Sequence, residues 1–440
     1  MGLDLRGSTP AAGPTTESCG VEVIRDAADL DRLRDEWDQL FVASPTAAPP
    51  LRREWVQTWW HVYGPEYGDR GRGLRILTVR RDGRLIGTLP LYLGRRGRSF
   101  LGPRRLGFVS TGAAEFEETC TEYLNLLHAP SEEAACLQAL APWIRQPGKL
   151  GWDELHLTDL PADSPVLGLA SGFGGPWIRV RPAQPDVCHL FSMAGGFDGY
   201  LQRLSHENRR QARKMLREVE TEGMEFEVAA DAGRLHLFFD QMIELHRQRW
   251  NAAGKPGSFA PRHAEFHRAV SELLLGRGEA IIARLSLADR PLAVAFGYRT
   301  RDKVHCYQQG VAPGVGRVRS PGTAAWLLLM RHQAERGVTV FDHLRGMTQF
   351  KERFATDQTP LAGLCVTRIG PRTVSASAVD WVRRAARRAG KLLPRAGKAT
   401  NPVAPVTPPH EAGQRPAERL RAKKEDLTSA VLATQDEDRK

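Results

Sequence analysis

Tyr307 lies a short way upstream of Ser320-Pro321-Gly322-Thr323, across a stretch carrying Gly310, Gly314 and Gly316. That order places a phenol before a loop able to hold phosphate. The loop joins a strand-like segment, 304–310, to a helical one, 324–335. The first turn of a helix has amides without carbonyl partners and carries partial positive charge. Glycine admits close backbone approach, and Arg317 and Arg319 add fixed positive charge. The anion cradle expected here comprises Val318, Arg319, Ser320, Gly322 and Thr323. It matches neither G-x-x-x-x-G-K-[ST] nor the dinucleotide fingerprint. A nucleoside triphosphate is disfavoured, and the pyrophosphate of coenzyme A remains. The same residues also make a plain strand–helix connection, with Ser as N-cap and Pro in the first turn.

The neighbouring elements are arranged around this loop. Segments 280–285 and 292–298 alternate as two strands about a turn at Ala288-Asp289-Arg290-Pro291, and 304–309 forms a third. Downstream stand Phe341-Asp342-His343-Leu344-Arg345-Gly346 and Phe350-Lys351-Glu352-Arg353-Phe354. Together with Leu245-His246-Arg247-Gln248-Arg249-Trp250, Phe266-His267 and Tyr307-Gln308-Gln309-Gly310, this order resembles the second half of a GNAT-type acyltransferase. It is most similar to the CelD-type, cellulose-biosynthesis-associated branch, which is related to the Fem-type aminoacyl ligases. The resemblance spans residues 21–366. It implies an acetyl-CoA or other acyl-CoA donor, no metal, and an amine or hydroxyl acceptor.

Direct acyl transfer from a thioester requires that the acceptor lose a proton, the oxyanion be stabilised and the leaving thiolate be protonated. No G-x-S-x-G elbow or Cys–His nucleophile pair is recognisable, so direct transfer is the simplest expectation. By the resemblance, Tyr307 protonates the thiolate; alternatively it packs in the sheet. Strand alternation puts Gln309, not Gln308, on the face of Tyr307. His267 is a candidate base, or a packed histidine. Trp250 shares a helix face with His246 and is a candidate substrate-binding cleft wall, or a core contact. Asp342 and Arg345 follow a strand, where α/β folds carry function; they either hold the acceptor, with Asp342 in catalysis, or pair with each other. Lys351 is a candidate contact to an anionic substrate, or a solvated lysine.

The chain has 440 residues and a formal charge of +11. Its length suggests two domains. Six scattered cysteines lack metal-ligand spacing and read as reduced thiols. No apolar run approaches the ~20 residues of a membrane span, and residues 1–16 lack a secretory-signal layout. The expected location is cytoplasmic, peripheral at the inner face of the membrane if the tail docks there. Residues 74–92 echo 280–298 as polar-turned hairpins, so the expected fold is α/β: two GNAT-like lobes from a divergent duplication, with mixed sheets flanked by helices. The expected boundaries are a disordered 1–20, a first lobe 21–185, a second lobe 186–371 with the acyl-CoA site, and a basic helix and disordered tail 372–440. Expected strands include 122–127, and expected helices include 29–41, 51–63 and 206–222.

The partners expected are a small-molecule or envelope-precursor acceptor and, through the C-terminal helix, an anionic membrane surface. In that helix Trp381, Val382, Ala385, Ala389 and Leu392 share helical spacing amid arginines. The run Asn208-Arg209-Arg210-Gln211-Ala212-Arg213-Lys214 is a solvated helix face, or a contact for an anion or a polyanion such as tRNA; no interleaved aromatics support single-strand recognition, and nucleic acid is not the expected partner. The acidic cluster Glu115, Glu117 and Glu118 reads as a loop, or as a site for a cationic acceptor. Two rival functions stay open: a Fem-type aminoacyl-tRNA-dependent ligase, and a non-catalytic envelope-assembly protein with a degenerate site. The acceptor and the oligomeric state are not encoded in any motif.

Overall fold

The computed structural model describes residues 19–96, 101–114, 117–119, 121–252, 260–312, 318 and 320–392. The termini expected to be disordered lie essentially outside these residues, as do Glu115, Gly314, Gly316, Arg317 and Arg319. The first lobe runs β1 (Gly20–Ile24), α1 (Asp29–Arg32), α2 (Arg34–Ala43), α3 (Arg53–Tyr67), β2 (Leu74–Arg81), β3 (Arg84–Arg95), β4 (Arg104–Phe108), β5 (Leu127–His128), α4 (Glu133–Arg145), α5 (Pro147–Leu150), β6 (Glu154–Pro161) and β7 (Ile178–Pro182). The second runs β8 (Asp186–Ser192), α6 (Gly196–Arg203), α7 (His206–Thr221), β9 (Glu225–Val228), α8 (Ala232–Ala252), α9 (Pro261–Leu275), β10 (Ala280–Leu287), β11 (Arg290–Thr300), β12 (Lys303–Val311), α10 (Pro321–Ala334), β13 (Val340–Asp342), α11 (Gln349–Phe354) and β14 (Asp357–Arg368). Helix α12 (Pro371–Leu392) follows. Both lobes fall in one compact unit ending at Val382, and Arg383–Lys440 forms a second.

The expected mixed α/β architecture is present as a 14-stranded sheet flanked by helices. Its main path is β1-β2-β3-β4-β6-β14-β8-β13-β12-β11-β10-β9. Read inward from each edge, the two halves repeat: four antiparallel strands, then one parallel pair, β4 with β6 and β12 with β13. The repeat extends to register. In β2–β3, Val79 opposes Gly87 and Arg80 opposes Leu85, leaving Ile86 as a bulge. In β10–β11, Leu285 opposes Ala293 and Ser286 opposes Pro291, leaving Leu292 as a bulge. Both hairpins turn on two left-handed residues, Asp82 and Gly83 (φ 51° and 77°) and Ala288 and Asp289 (φ 45° and 62°). Such turns match the twist of the flanking strands. One hairpin design is used twice in the chain.

Strand β14 joins the halves. Asp357–Leu361 pairs with β8, and Leu361–Thr367 pairs with β6 of the first lobe. The last strand of the second lobe thus completes the sheet of the first. One apolar core is shared: Trp37, Trp55 and Trp59 from α2 and α3 pack with Phe238, Phe239 and Phe266 from α8 and α9. The opposite faces carry separate cores, under α4 in the first lobe and under α6, α7 and α10 in the second.

Two expected strands are shorter than their patterns. Of 122–127, only Leu127 is in a strand, because Tyr123 is left-handed (φ 65°) and breaks the extended run. The strand expected before Arg345 covers only Val340–Asp342, and Leu344 (φ 58°) turns the chain away. Both breaks serve the site below.

Candidate active site

The strand–loop–helix unit is β12 followed by α10. Ser320 is the N-cap residue, and its side chain does not cap the helix. Its carbonyl accepts from Ala324 N at 3.1 Å. Helix geometry leaves the amides of Gly322 and Thr323 without a carbonyl one turn back. Val318 is fully buried and Thr323 half-buried. Gln309 Nε2 donates to the Gly322 carbonyl at 2.7 Å. A Cβ at Gly322 would lie 2.8 Å from Val311 Cγ2 and 2.9 Å from Gln309 Oε1. Gly322 is therefore needed for the helix start to pack on β12, whatever it does for a phosphate.

Tyr307 occupies a β-bulge. Phe296 opposes Gln308 and Gly297 opposes Cys306, so Tyr307 is the extra residue of the bulge. The extra residue resets the alternation, as bulges do. Tyr307 packs in the shared core, whereas Gln309 points to α10 on the opposite face. The expected sharing of one face by Tyr307 and Gln309 is corrected on this ground. Around Tyr307 stand Tyr298 (ring centroids 4.9 Å), Trp55 (5.6 Å) and His267 (5.6 Å).

His267 is buried, with Nδ1 3.0 Å from the Tyr298 hydroxyl. Its ring lies 4.4 Å from that of His263. Burial first, and His263 second, hold its pKa well below the usual imidazole value. His263 and His246 are likewise lowered to about 4 by burial. His267 is thus a neutral imidazole enclosed by aromatic rings. Trp250 belongs to α8, and its side chain lies outside the described residues.

Asp342, Arg345 and Lys351 do converge, and first-lobe residues meet them. Asp342 is fully buried at the end of β13. The Tyr123 hydroxyl donates to its Oδ2, Leu344 N donates to Oδ1 at 2.9 Å, and Lys303 Nζ lies 3.6 Å away. Burial raises its pKa, against the pull of Lys303. Arg345 reaches Asp159 at 2.7 Å, Glu122 at 3.2 Å, and Glu118. Its guanidinium is engaged by three carboxylates rather than by Asp342. Lys351, on α11, donates to the carbonyls of Arg345 (2.6 Å) and Leu344 (3.1 Å). Burial lowers its pKa; Glu122, Cys188, Cys306 and Asp342 oppose the shift.

Glu122 was not singled out in the sequence beyond its place in an expected strand. It is buried beneath Arg345, and its Oε2 has no hydrogen-bond partner among the described residues. Burial raises its pKa to about 7, with Asp159 and Asp342 adding to the rise and Arg345 opposing it. Opposed shifts of this kind mark Glu122 and Lys351 as candidates for proton transfer, though ion-pair networks such as that of Arg345 also produce them. The sequence signal for Glu122 is faint: an acid next to a tyrosine that breaks a strand.

The remaining charged features are plain. On α7, Arg210 pairs with Glu207 at 2.9 Å and Lys214 with Glu218 at 3.6 Å. Glu117 binds Arg262 at 2.7 Å. No group of three or more His, Cys, Asp or Glu with metal-holding geometry occurs among the described residues.

Residues 206–352 match the family model described as "Acetyltransferase (GNAT) domain". That stretch holds α7 through β13, including the β12–α10 unit. No curated protein matches the chain. Among solved structures, FemX superposes with a TM-score of 0.51 at 13% identity, over 75% of this chain and 95% of FemX. L-PGS from Bacillus licheniformis gives 0.44 at 12% identity, over 79% and 93%. A tandem GNAT protein from the clavulanic acid biosynthesis pathway gives 0.40 at 14% identity, over 80% and 99%. The second lobe thus matches a GNAT acetyltransferase domain, and the two-lobed fold is like that of FemX.

Proposed function

We propose that the protein is an acyl-CoA-dependent acyltransferase of the GNAT type that works by direct transfer. The acceptor is an amine or hydroxyl of a sugar, an amino acid or an envelope or polysaccharide precursor. The observation that carries this reading is the start of α10: two first-turn amides, uncapped by Ser320, directly after the bulged strand bearing Tyr307 and inside the matched domain. They suit the pyrophosphate of the donor.

In this reading the acceptor's nitrogen or oxygen bonds to the acyl carbon and the C–S bond breaks. The acceptor's proton passes to Glu122, whose carboxylate is available near pH 7. The leaving thiolate takes a proton from Tyr307. Lys351 adds positive charge beside Glu122. His267 and Asp342 hydrogen-bond Tyr298 and Tyr123 and position those two phenols. Arg345 holds the two lobes in register around Glu122.

A second reading, a Fem-type aminoacyl-tRNA-dependent ligase, draws on the likeness to FemX, which is one of fold. Thiol release from acetyl-CoA in the presence of an amine panel, set beside transfer from aminoacyl-tRNA, separates them. Acyl-CoA-driven turnover without tRNA supports the first; turnover only with charged tRNA overturns it.

A further inference from the structure

A surface helix ordinarily turns its apolar stripe to the core and its polar face to water. Residues 371–382 of α12 do the reverse. Thr373 is buried, and its hydroxyl donates to the Arg368 carbonyl at 2.7 Å and accepts from Gly370 N at 2.9 Å. About two turns later, Asp380 binds the Arg96 guanidinium. Arg96 also holds Glu154 of β6 at 2.8 Å, so the polar side of the helix is tied to the first lobe. The apolar residues point away: Val374 is 56% exposed and Trp381 68%, with Val379 and Val382 also exposed. Val374, Ala378 and Trp381 recur at helical spacing and form one stripe.

A second exposed aromatic lies beside the start of this helix. Trp177 is 69% exposed, and its carbonyl accepts from Ile369 N at 2.7 Å. It precedes β7, where Arg179 and Arg181 are exposed and Val180 faces solvent between them. Exposed cations flank these apolar groups: Arg179 and Arg181 on β7, and Arg372 on α12, which also lies 3.5 Å from Asp153. The sequence of α12 carries six basic residues against one acid, Asp380.

We propose that residues 371–382 of α12 and Trp177 form a docking face for an anionic phospholipid bilayer. The apolar stripe and the two indoles enter the headgroup boundary, and Arg179, Arg181 and Arg372 meet lipid phosphates. A second copy of the chain fits poorly, because two such faces would bring like charges together. No helix among the described residues is long and apolar enough to cross a membrane, so the contact is interfacial. This inference is independent of the acyl-donor reading.

The test is co-sedimentation of the full chain with vesicles of equal parts phosphatidylcholine and phosphatidylglycerol, and with pure phosphatidylcholine. The variant V374S/W381S changes only exposed side chains and keeps Thr373 and Asp380. Expected are binding to the anionic vesicles alone, release by salt, and at least a tenfold loss of partitioning in the variant with an unchanged melting curve. Sedimentation of variant and parent alike overturns the proposal, as does failure of the parent to bind anionic vesicles. A parent dimer that the variant loses would assign the face to a second copy instead.

Discussion

The Arg345 guanidinium of the second lobe donates to the Asp159 carboxylate of the first at 2.7 Å. The same side chain reaches Glu122 and Glu118, so one cation is shared by three first-lobe acids at the seam made by β14. Coulomb attraction from these carboxylates outweighs burial and raises the Arg345 pKa. Removing one partner of such a set leaves the others unpaired in a poorly solvated place. Arg345→Met is expected to destabilise the fold by about 3 kcal/mol. Urea denaturation measures it, and a loss below about 1 kcal/mol would make the seam incidental.

Tyr307→Phe keeps the ring among Trp55, Tyr298 and His267 and deletes only the hydroxyl. If the phenol protonates the thiolate, turnover falls about 10²-fold with the donor Kd unchanged. Pre-steady-state thiol release against calorimetric donor binding separates the two effects. An unchanged rate would leave Tyr307 a packing residue.

Glu122 must be ionised to accept a proton, so kcat/KM should climb as pH rises through about 7. Glu122→Gln is expected to lower the plateau by about 10²-fold and abolish that limb. Stability moves the other way. A carboxyl whose folded pKa is raised contributes stability that is complete below its unfolded pKa and is lost as pH rises through the folded one. The Gln variant should therefore melt at or above the parent temperature at pH 8. A rising limb that survives the substitution would move the base elsewhere.

His246 and His263, lowered to about 4, act oppositely on stability. Between that value and the ordinary 6.5 the unfolded chain binds more protons than the folded one, so stability drops as pH falls through this window. Denaturant midpoints at pH 7 and pH 5 should differ, and His263→Leu should narrow the gap. Because Glu122 acts with the opposite sign in the same window, the variant decides: a gap unchanged in His263→Leu would contradict the burial of that ring.

The hairpins were legible because local chemistry sets them: Asp82-Gly83 and Ala288-Asp289 supply turn residues between alternating apolar runs. Helix α2 overlaps the helix expected over 29–41, and α7 and α10 fall close to the expected 206–222 and 324–335. The bulge at Tyr307 was not legible, since Tyr-Gln-Gln contains no glycine and the extra residue is imposed by register with β11. Glu122 was hidden for a related reason. Its burial comes from Arg345 and β14, more than two hundred residues away, and not from its neighbours in sequence. The polar start of β14, Asp357-Gln358-Thr359-Pro360, gives little sign that it joins two lobes.

The central claim is that the start of α10 holds the phosphates of an acyl-CoA donor. Gly322 is a poor probe, because any side chain there collides with Val311 and Gln309. Thr323→Asp is better: an acid in the first turn suits the helix itself but repels a bound pyrophosphate. Calorimetric titration of the full chain with coenzyme A should show one site in the parent and at least a tenfold weaker Kd in Thr323→Asp, with the melting temperature kept. No binding by the parent at millimolar coenzyme A, or equal affinity in the two proteins, would contradict the account.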